Sequence, residues 1–129
     1  MSKKVTPQPT AAELEILQIL WNNGPCTVRF VNNKLNDNKV VGYTTTLKMM
    51  QIMTEKNLLV RDAQSRSHIY SPTFAQQETQ GQLLDSFLQN AFEGSATKLV
   101  MQALGKHKAS KEEINQIREL LNKLDKGVK

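Results

Sequence analysis

At 129 residues the chain has room for one domain, or a small domain with an appended helical module; with 39% hydrophobic but only 5% aromatic residues, its core must come from Leu, Ile, Val and Met. Its 17 Lys and Arg against 12 Asp and Glu give a net charge of +5 and an isoelectric point near 9.4, a balance suited to a polyanionic partner. One cysteine and two histidines exclude an intrachain disulfide and a complete structural zinc set, and no apolar run approaches the length of a membrane span.

Residues 1–9 carry two lysines and two prolines and read as a basic arm. The opening Met1-Ser-Lys-Lys-Val lacks the apolar core of a signal peptide, so a cytoplasmic protein without membrane insertion is expected. Thr10-Ala-Ala-Glu13 is a capping box, in which the Thr10 hydroxyl and the Glu13 carboxylate take up free backbone donors of a first helical turn. The helix it opens buries Leu14, Leu17 and Trp21, with Ile16 and Leu20 beside them. It ends at Asn22-Asn23-Gly24-Pro25, where Gly24 offers the left-handed terminating conformation and Pro25 cannot continue a helix. Thr27 caps a second, short helix with Val28, Val31 and Leu35 at spacings of three and four. Asn36-Asp-Asn-Lys39 is a polar turn that leads through Val40-Val41-Gly42 into a third helix.

That third helix, Tyr43 to Lys56, is two-faced. At about 100° per residue, Thr46, Leu47, Met49, Met50 and Met53 share one side. Thr44, Thr45, Lys48, Gln51 and Glu55 fall opposite, with Ile52 among them. Two short strands follow, Leu58–Asp62 and Ser67–Ser71, joined by a hairpin turn with a basic tip at Ala63–Arg66. Their alternation groups Leu58 with Val60 and sets Ile69 between His68 and Tyr70. A helix bearing threonines and a lysine, with a basic hairpin behind it, is the layout of a winged helix-turn-helix. There the helix enters the major groove of DNA and the wing reaches the flanking backbone. Charge follows the same division: residues 1–72 hold nine basic and five acidic side chains, residues 73–129 eight and seven.

From Phe74 onward no strand pattern appears. Leu83, Leu84, Phe87, Leu88, Ala91 and Phe92 form an apolar stripe on a long helix that Gly94-Ser95 breaks. Leu99, Val100, Ala103 and Leu104 line the next helix. Ser110-Lys-Glu-Glu113 is a second capping box, opening a last helix with Ile114, Ile117, Leu121 and Leu124 on one face and Leu120 adjacent. Three amphipathic helices of this length cannot close much of a core alone. The expected architecture is therefore mostly α with a small β-wing: a winged-helix DNA-binding domain over 1–72, then a helical dimerisation region over 73–129. Leu83, Phe87, Leu88, Leu99, Ile117 and Leu121 are the candidates to face a second subunit.

The chain resembles the penicillinase-repressor family of small winged-helix repressors. The likeness begins with Glu13-Leu-Glu-Ile-Leu-Gln-Ile-Leu-Trp21 and runs through Tyr43-Thr-Thr-Thr-Leu-Lys48, Met53-Thr-Glu-Lys-Asn-Leu-Leu59 and Ile69-Tyr70-Ser-Pro72. It continues in Phe92-Glu-Gly-Ser95, Leu99-Val-Met101, Lys111-Glu-Glu-Ile114 and Leu120-Leu121. The resemblance implies a homodimer with its N-terminal wings on a palindromic operator, its C-terminal helices as the clamp, and control of beta-lactam-resistance-type or related stress genes. It further implies a membrane-bound sensor metalloprotease as partner, cutting between an asparagine and a phenylalanine on the helix after the Gly-Ser turn. Aligned on Leu99-Val100-Met101, that bond is Gln102–Ala103 here, with Ala in place of the aromatic anchor. Family members often carry an arginine where this chain has Ile52. The copper-sensing branch ends in a cysteine cluster, which is missing after Cys26.

Candidate DNA-binding residues are Tyr43, Thr44, Thr45, Lys48, Gln51, Ile52, Arg66 and His68. Several have two open readings. Thr44 either caps the third helix or meets DNA, and Tyr43 either donates to a phosphate or packs against the first helix. Ile52 either meets a thymine methyl or packs under the wing. An enzyme is not expected: Ser95-Ala-Thr-Lys98 fits an S-x-x-K pattern, but the partner motifs S-D-N and K-T-G do not occur, and Ser95 as a helix N-cap explains the same letters. Cys26 reads as a buried structural thiol. No cofactor or metal is called for. The alternative to DNA binding is a winged helix used for protein contacts, which would show an acidic or apolar face where this one is polar and basic.

Overall fold

A computed structural model describes residues 8–64, 66 and 68–127. Helices α1 (Ala11–Asn23), α2 (Val28–Leu35) and α3 (Tyr43–Glu55) are followed by strands β1 (Leu59–Asp62) and β2 (Ile69–Pro72). Helices α4 (Gln76–Phe92), α5 (Ala96–Lys106) and α6 (Lys111–Gly127) complete the chain. Two compact units form, the first reaching Leu84 and the second beginning at Asp85. This is a winged-helix fold. The basic arm expected at residues 1–9 lies, up to residue 7, outside the described residues.

The first unit owns the core. Ile16, Leu17 and Leu20 of α1, Val31 and Leu35 of α2, Met50 and Met53 of α3, and Leu59 and Tyr70 of the strands are all buried together. Leu14 and Trp21 are only partly buried against this cluster, so the buried stripe of α1 is centred on Ile16, Leu17 and Leu20. The capping letters do what their chemistry allows. Thr10 Oγ1 accepts from Glu13 N at 3.2 Å while Glu13 Oε1 accepts from Thr10 N at 2.9 Å, and Thr27 accepts from Phe30 N. Gly24 ends α1 at φ +83°, a region that side chains with a Cβ avoid. Helix α3 leaves through a Schellman turn: Leu58 N donates to Met53 O at 2.8 Å, Asn57 N to Thr54 O, and Asn57 takes φ +66°.

That turn corrects the strand reading. Leu58 still belongs to the helix exit, so β1 starts at Leu59 and the inward parity shifts by one residue. Leu58 and Leu59 are both buried and Val60 is 54% exposed, so Leu58 and Val60 do not share a face. In β2 the buried residue is Tyr70 rather than Ile69. Its neighbours explain this: Arg61 pairs with Tyr70 in the antiparallel register, and on the other side Tyr70 exchanges backbone hydrogen bonds with Cys26, at 3.0 and 2.8 Å. Tyr70 is thus the middle rung of a three-stranded step, and its ring must point into the core. Strand β2 also begins at Ile69 rather than Ser67; Ser65 and Ser67, which fall in the expected turn and strand, lie outside the described residues. Past the wing, Trp21 Nε1 donates to Phe74 O at 3.1 Å, Gln76 bonds to Gln18, and Thr79 is buried. The start of α4 is therefore part of the first unit.

Beyond the wing, α4 ends at Phe92, just before the Gly94-Ser95 break, and α6 opens at the Ser110 capping box, where the sequence reading expects them. Ser95 Oγ caps α5 by accepting from Lys98 N, and Ser110 with Glu113 forms the second capping box at 3.0 and 3.1 Å. Neither α5 nor α6 buries a single residue: Met101, Leu120, Leu121 and Leu124 all stand exposed. Among the described residues no helix is long and apolar enough to cross a membrane.

One buried charge decides how acid acts on the first unit. Glu13 is 6% exposed, and both its oxygens accept from Lys56 Nζ, at 2.9 and 2.8 Å, joining α1 to the end of α3. Burial alone would raise the Glu13 carboxyl, but the Lys56 ammonium and the Thr10 donors outweigh it and hold the carboxyl below its ordinary value. A carboxyl depressed in the folded state contributes stability above its unfolded pKa and loses it as pH falls through the folded value. Glu13→Gln, which keeps the cap acceptor and removes the charge, is expected to cost about 2 kcal/mol at neutral pH. Denaturant titrations of the two proteins should converge as the pH is taken below the carboxylate range; a gap that persists there would show that the charge is not the source.

Candidate nucleic-acid interface

The outward face of α3 is set by how the helix is held at both ends. At its end, Lys56 is tied to Glu13. At its start, two asparagines of the α2 segment fix the turn. Asn36 Oδ1 accepts from Val41 N at 3.0 Å and Asn36 Nδ2 donates to Val41 O at 2.9 Å, so one side-chain amide engages both backbone groups of one residue. Asn32 Nδ2 donates to the same carbonyl at 3.0 Å and to Thr46 Oγ1 at 2.9 Å, which satisfies the hydroxyl of a fully buried threonine. With Thr46, Met50 and Met53 locked inward, Thr44, Thr45, Lys48, Gln51, Ile52 and Glu55 all remain exposed. The polar face expected of α3 is therefore an outer surface.

The N-cap of α3 is Gly42, with no side-chain cap bond, so Thr44 is not the cap; it stands exposed in the first turn. Tyr43 is 42% exposed and its ring lies under the Arg29 guanidinium of α2, 5.1 Å from the ring centre, rather than against α1. Ile52 is 40% exposed, so it is not packed away beneath the wing. Val40 is 98% exposed on a backbone immobilised by its clamped neighbour Val41. Gln64 N donates to Asp62 Oδ1 at the start of the wing turn, and Arg66 and His68 are exposed.

Between α3 and the wing lies an open cleft of about 490 Å³. Tyr43, Leu47 and Gln51, one stripe of α3, form one wall. Arg61 of β1 with Arg66 and His68 forms the other, and Thr27 and Arg29 at the start of α2 close the end. Among the described residues no acidic side chain lines it. Four of the expected residues, Tyr43, Gln51, Arg66 and His68, thus meet at one place, whereas Thr44, Thr45, Lys48 and Ile52 belong to the open face beside it. Arg29 and Arg61 escaped the sequence reading. Arg61 carries the one available signal, since in the corrected register it shares a face with Leu59 and Tyr70 and so stays on the α3 side of the wing.

The Cys26 thiol donates to Gly24 O at 3.0 Å, and burial pushes its pKa up, the opposite of an activated nucleophile. Among the described residues no group of three or more His, Cys, Asp or Glu side chains is placed to hold a metal.

The penicillinase repressor family model matches residues 9–123 of the chain. The chain is 25% identical over 118 residues to the penicillinase repressor of Bacillus licheniformis, covering 92% of each protein. It is 26% identical over 117 residues to the transcriptional regulator BlaI of Mycobacterium tuberculosis, covering 89% of this chain and 83% of that one. Two solution structures share the fold of the first unit with 22% identity and a TM-score of 0.51, covering 59% of this chain and 93% of theirs. One is the DNA-binding domain of the repressor BlaI, and the other the monomeric form of Bacillus licheniformis BlaI in complex with the blaP half-operator.

Proposed function

The chain belongs to the penicillinase repressor family, and from that premise we propose that it represses transcription by binding a palindromic operator as a homodimer, one winged helix on each half-site. The observation that carries this reading is the continuity of the exposed threonine–lysine face of α3 with a cleft lined by three arginines and no acid. A protein-docking wing would need an apolar or acidic surface there. In the proposed complex Thr44, Thr45 and Lys48 meet the major groove, and Ile52, with no polar group to offer, suits a thymine methyl. Arg66 and His68 lie along the flanking backbone. The family is one of repressors rather than enzymes, and Ser95, the serine of the S-x-x-K letters, is occupied as a helix cap.

Leu83, Phe87, Leu88, Leu99, Ile117 and Leu121 are proposed to bury against a second copy. Phe87 and Leu121 are 56% and 59% exposed, and apolar area of this kind is stabilising only once something covers it. The Gln102–Ala103 bond, proposed as the counterpart of the family's cleavage site, lies in α5 with both residues exposed. A helical bond must open locally before a protease can cut it.

Four outcomes are expected. Half-sites should lie about one helical turn, ~10 bp, apart, with affinity falling steeply with salt. Thr45→Ala should relax the base preference at one position by about 1–3 kcal/mol, and Lys48→Ala should weaken binding to all sequences. Gel shifts in which the Thr45/Lys48 double alanine binds as well as wild type would remove α3 from the interface. A chain ending at Leu84, which keeps the Trp21 and Gln18 contacts, should remain folded, sediment as a monomer and bind a single half-site weakly, for want of the avidity that joins two readers. Full-length protein that sediments as a monomer at micromolar concentration would contradict the dimer. Mass spectrometry of the repressor from beta-lactam-treated cells should show fragments ending at Gln102 if proteolysis is the switch; intact repressor during derepression would exclude it.

A further inference from the structure

The cleft between α3 and the wing is more than a gap between two readers. We propose that it is the seat of a backbone phosphate of duplex DNA, gripped by Arg29, Arg61 and Arg66 together; this rests on the reading of the chain as a DNA-binding repressor and assigns to that surface two residues, Arg29 and Arg61, beyond those named from the sequence.

Three observations converge. The arginines come from three separate elements, α2, β1 and the wing turn, yet line a single open cleft. Such convergence brings like charges into one concavity, an arrangement that costs energy in the free protein and is relieved by an anion. No acidic side chain lines the cleft to relieve it internally. Arg29 is also held in place: its guanidinium lies 5.1 Å from the centre of the Tyr43 ring, which limits its freedom without consuming its five donors. Arg61 is held by the sheet, opposite Tyr70 in the register, and Tyr70 is in turn paired to Cys26. The two arginines that sequence reading passed over are therefore the two whose positions the fold fixes, while Arg66 sits on the turn.

Docking geometry says what the anion is. With the exposed face of α3 in a major groove and the wing over the adjacent backbone, the strand that separates the two must run between them, across this cleft. A phosphodiester offers two oxygens to planar guanidinium forks, and Gln51 and the Tyr43 hydroxyl add neutral donors on the α3 wall. Such contacts set register and affinity but carry no base information. The clamp should therefore act equally on every sequence, unlike Thr45.

The test uses full-length protein and two probes, a mixed-sequence 30-bp duplex and an operator selected from a randomised pool, with binding followed by fluorescence anisotropy across a salt series. Arg29→Gln and Arg61→Gln are each expected to weaken both probes by the same factor, roughly tenfold, and to reduce the slope of log affinity on log salt by about 0.9. Arg29→Lys should keep the salt slope yet lose part of the affinity, because it retains the charge without the fork or the stack. A role limited to packing would leave the slope untouched in all three. Unchanged slope and affinity in Arg29→Gln and Arg61→Gln, with Lys48→Ala still weakened, would overturn the clamp and leave the DNA-binding reading standing. A loss confined to the selected operator would also overturn it, since the arginines would then be reading bases. Wild-type protein that binds neither probe would remove the function and the clamp together.

Discussion

Everything the first unit presents outward depends on the immobility of α3. A recognition helix is useful only if its orientation is fixed to within a fraction of a turn, because one residue of rotation, about 100°, would exchange Thr45 for Thr46. The chain fixes both ends with different chemistry. At the start, Asn36 pairs its amide with the backbone N–H and carbonyl of Val41 and Asn32 shares the same carbonyl, a neutral arrangement with no charge to screen. At the end, Lys56 reaches the buried Glu13 carboxylate, and Asn57 turns the chain directly into β1. Between them Thr46, Met50 and Met53 are locked into the core. Glu13 serves twice, capping α1 and tethering α3, so the first helix of the domain is the strut against which the reading helix is braced.

The second unit shows the opposite economy. Its helices are well capped, and α4 carries an edge-on contact between Phe87 and Phe92 with ring centres 5.7 Å apart. Yet α5 and α6 bury no side chain at all. Caps contribute about 1 kcal/mol each and cannot replace a core. Helices that are locally specified but left without a buried face owe their stability to a surface elsewhere, which is why a second copy enters the proposed function on physical grounds and not through resemblance alone. The first unit has its own core, so its fold does not depend on the proposed pairing of the second.

What could be read from the letters follows the range of the interactions involved. The helices, both capping boxes, the Gly24 stop and the polar face of α3 rest on residues within four positions of one another, and each was legible. The strand parity was not. Counting from Leu58 ignores the left-handed Asn57 that still belongs to the helix exit, and the inward placement of Tyr70 depends on a backbone partner, Cys26, forty-four positions earlier in the sequence. The arginine cleft failed for the same reason. Arg29 and Arg61 are single basic letters in unremarkable surroundings, and only the packing of α2 against α3, with β1 alongside, brings them together. The buried pairing of Glu13 with Lys56 was equally invisible, since the capping box already accounted for the carboxylate.

Separating base reading from phosphate binding has a consequence for how such a repressor could let go. If the exposed face of α3 supplies preference and the cleft supplies sequence-independent affinity, neither is lost when the second unit is severed, because both are built on a core contained in the first. What is lost is the joining of two half-site contacts. Two independent weak readers compete poorly with bulk salt, whereas a joined pair multiplies their affinities by an effective concentration. Release of this kind needs no unfolding of the wing domain and no change in its face. In the proposed dimer it asks only that the apolar surface of the second unit cease to hold two copies together. A different trigger acting on the same helices, such as a competitor for their exposed faces, would release the operator equally well.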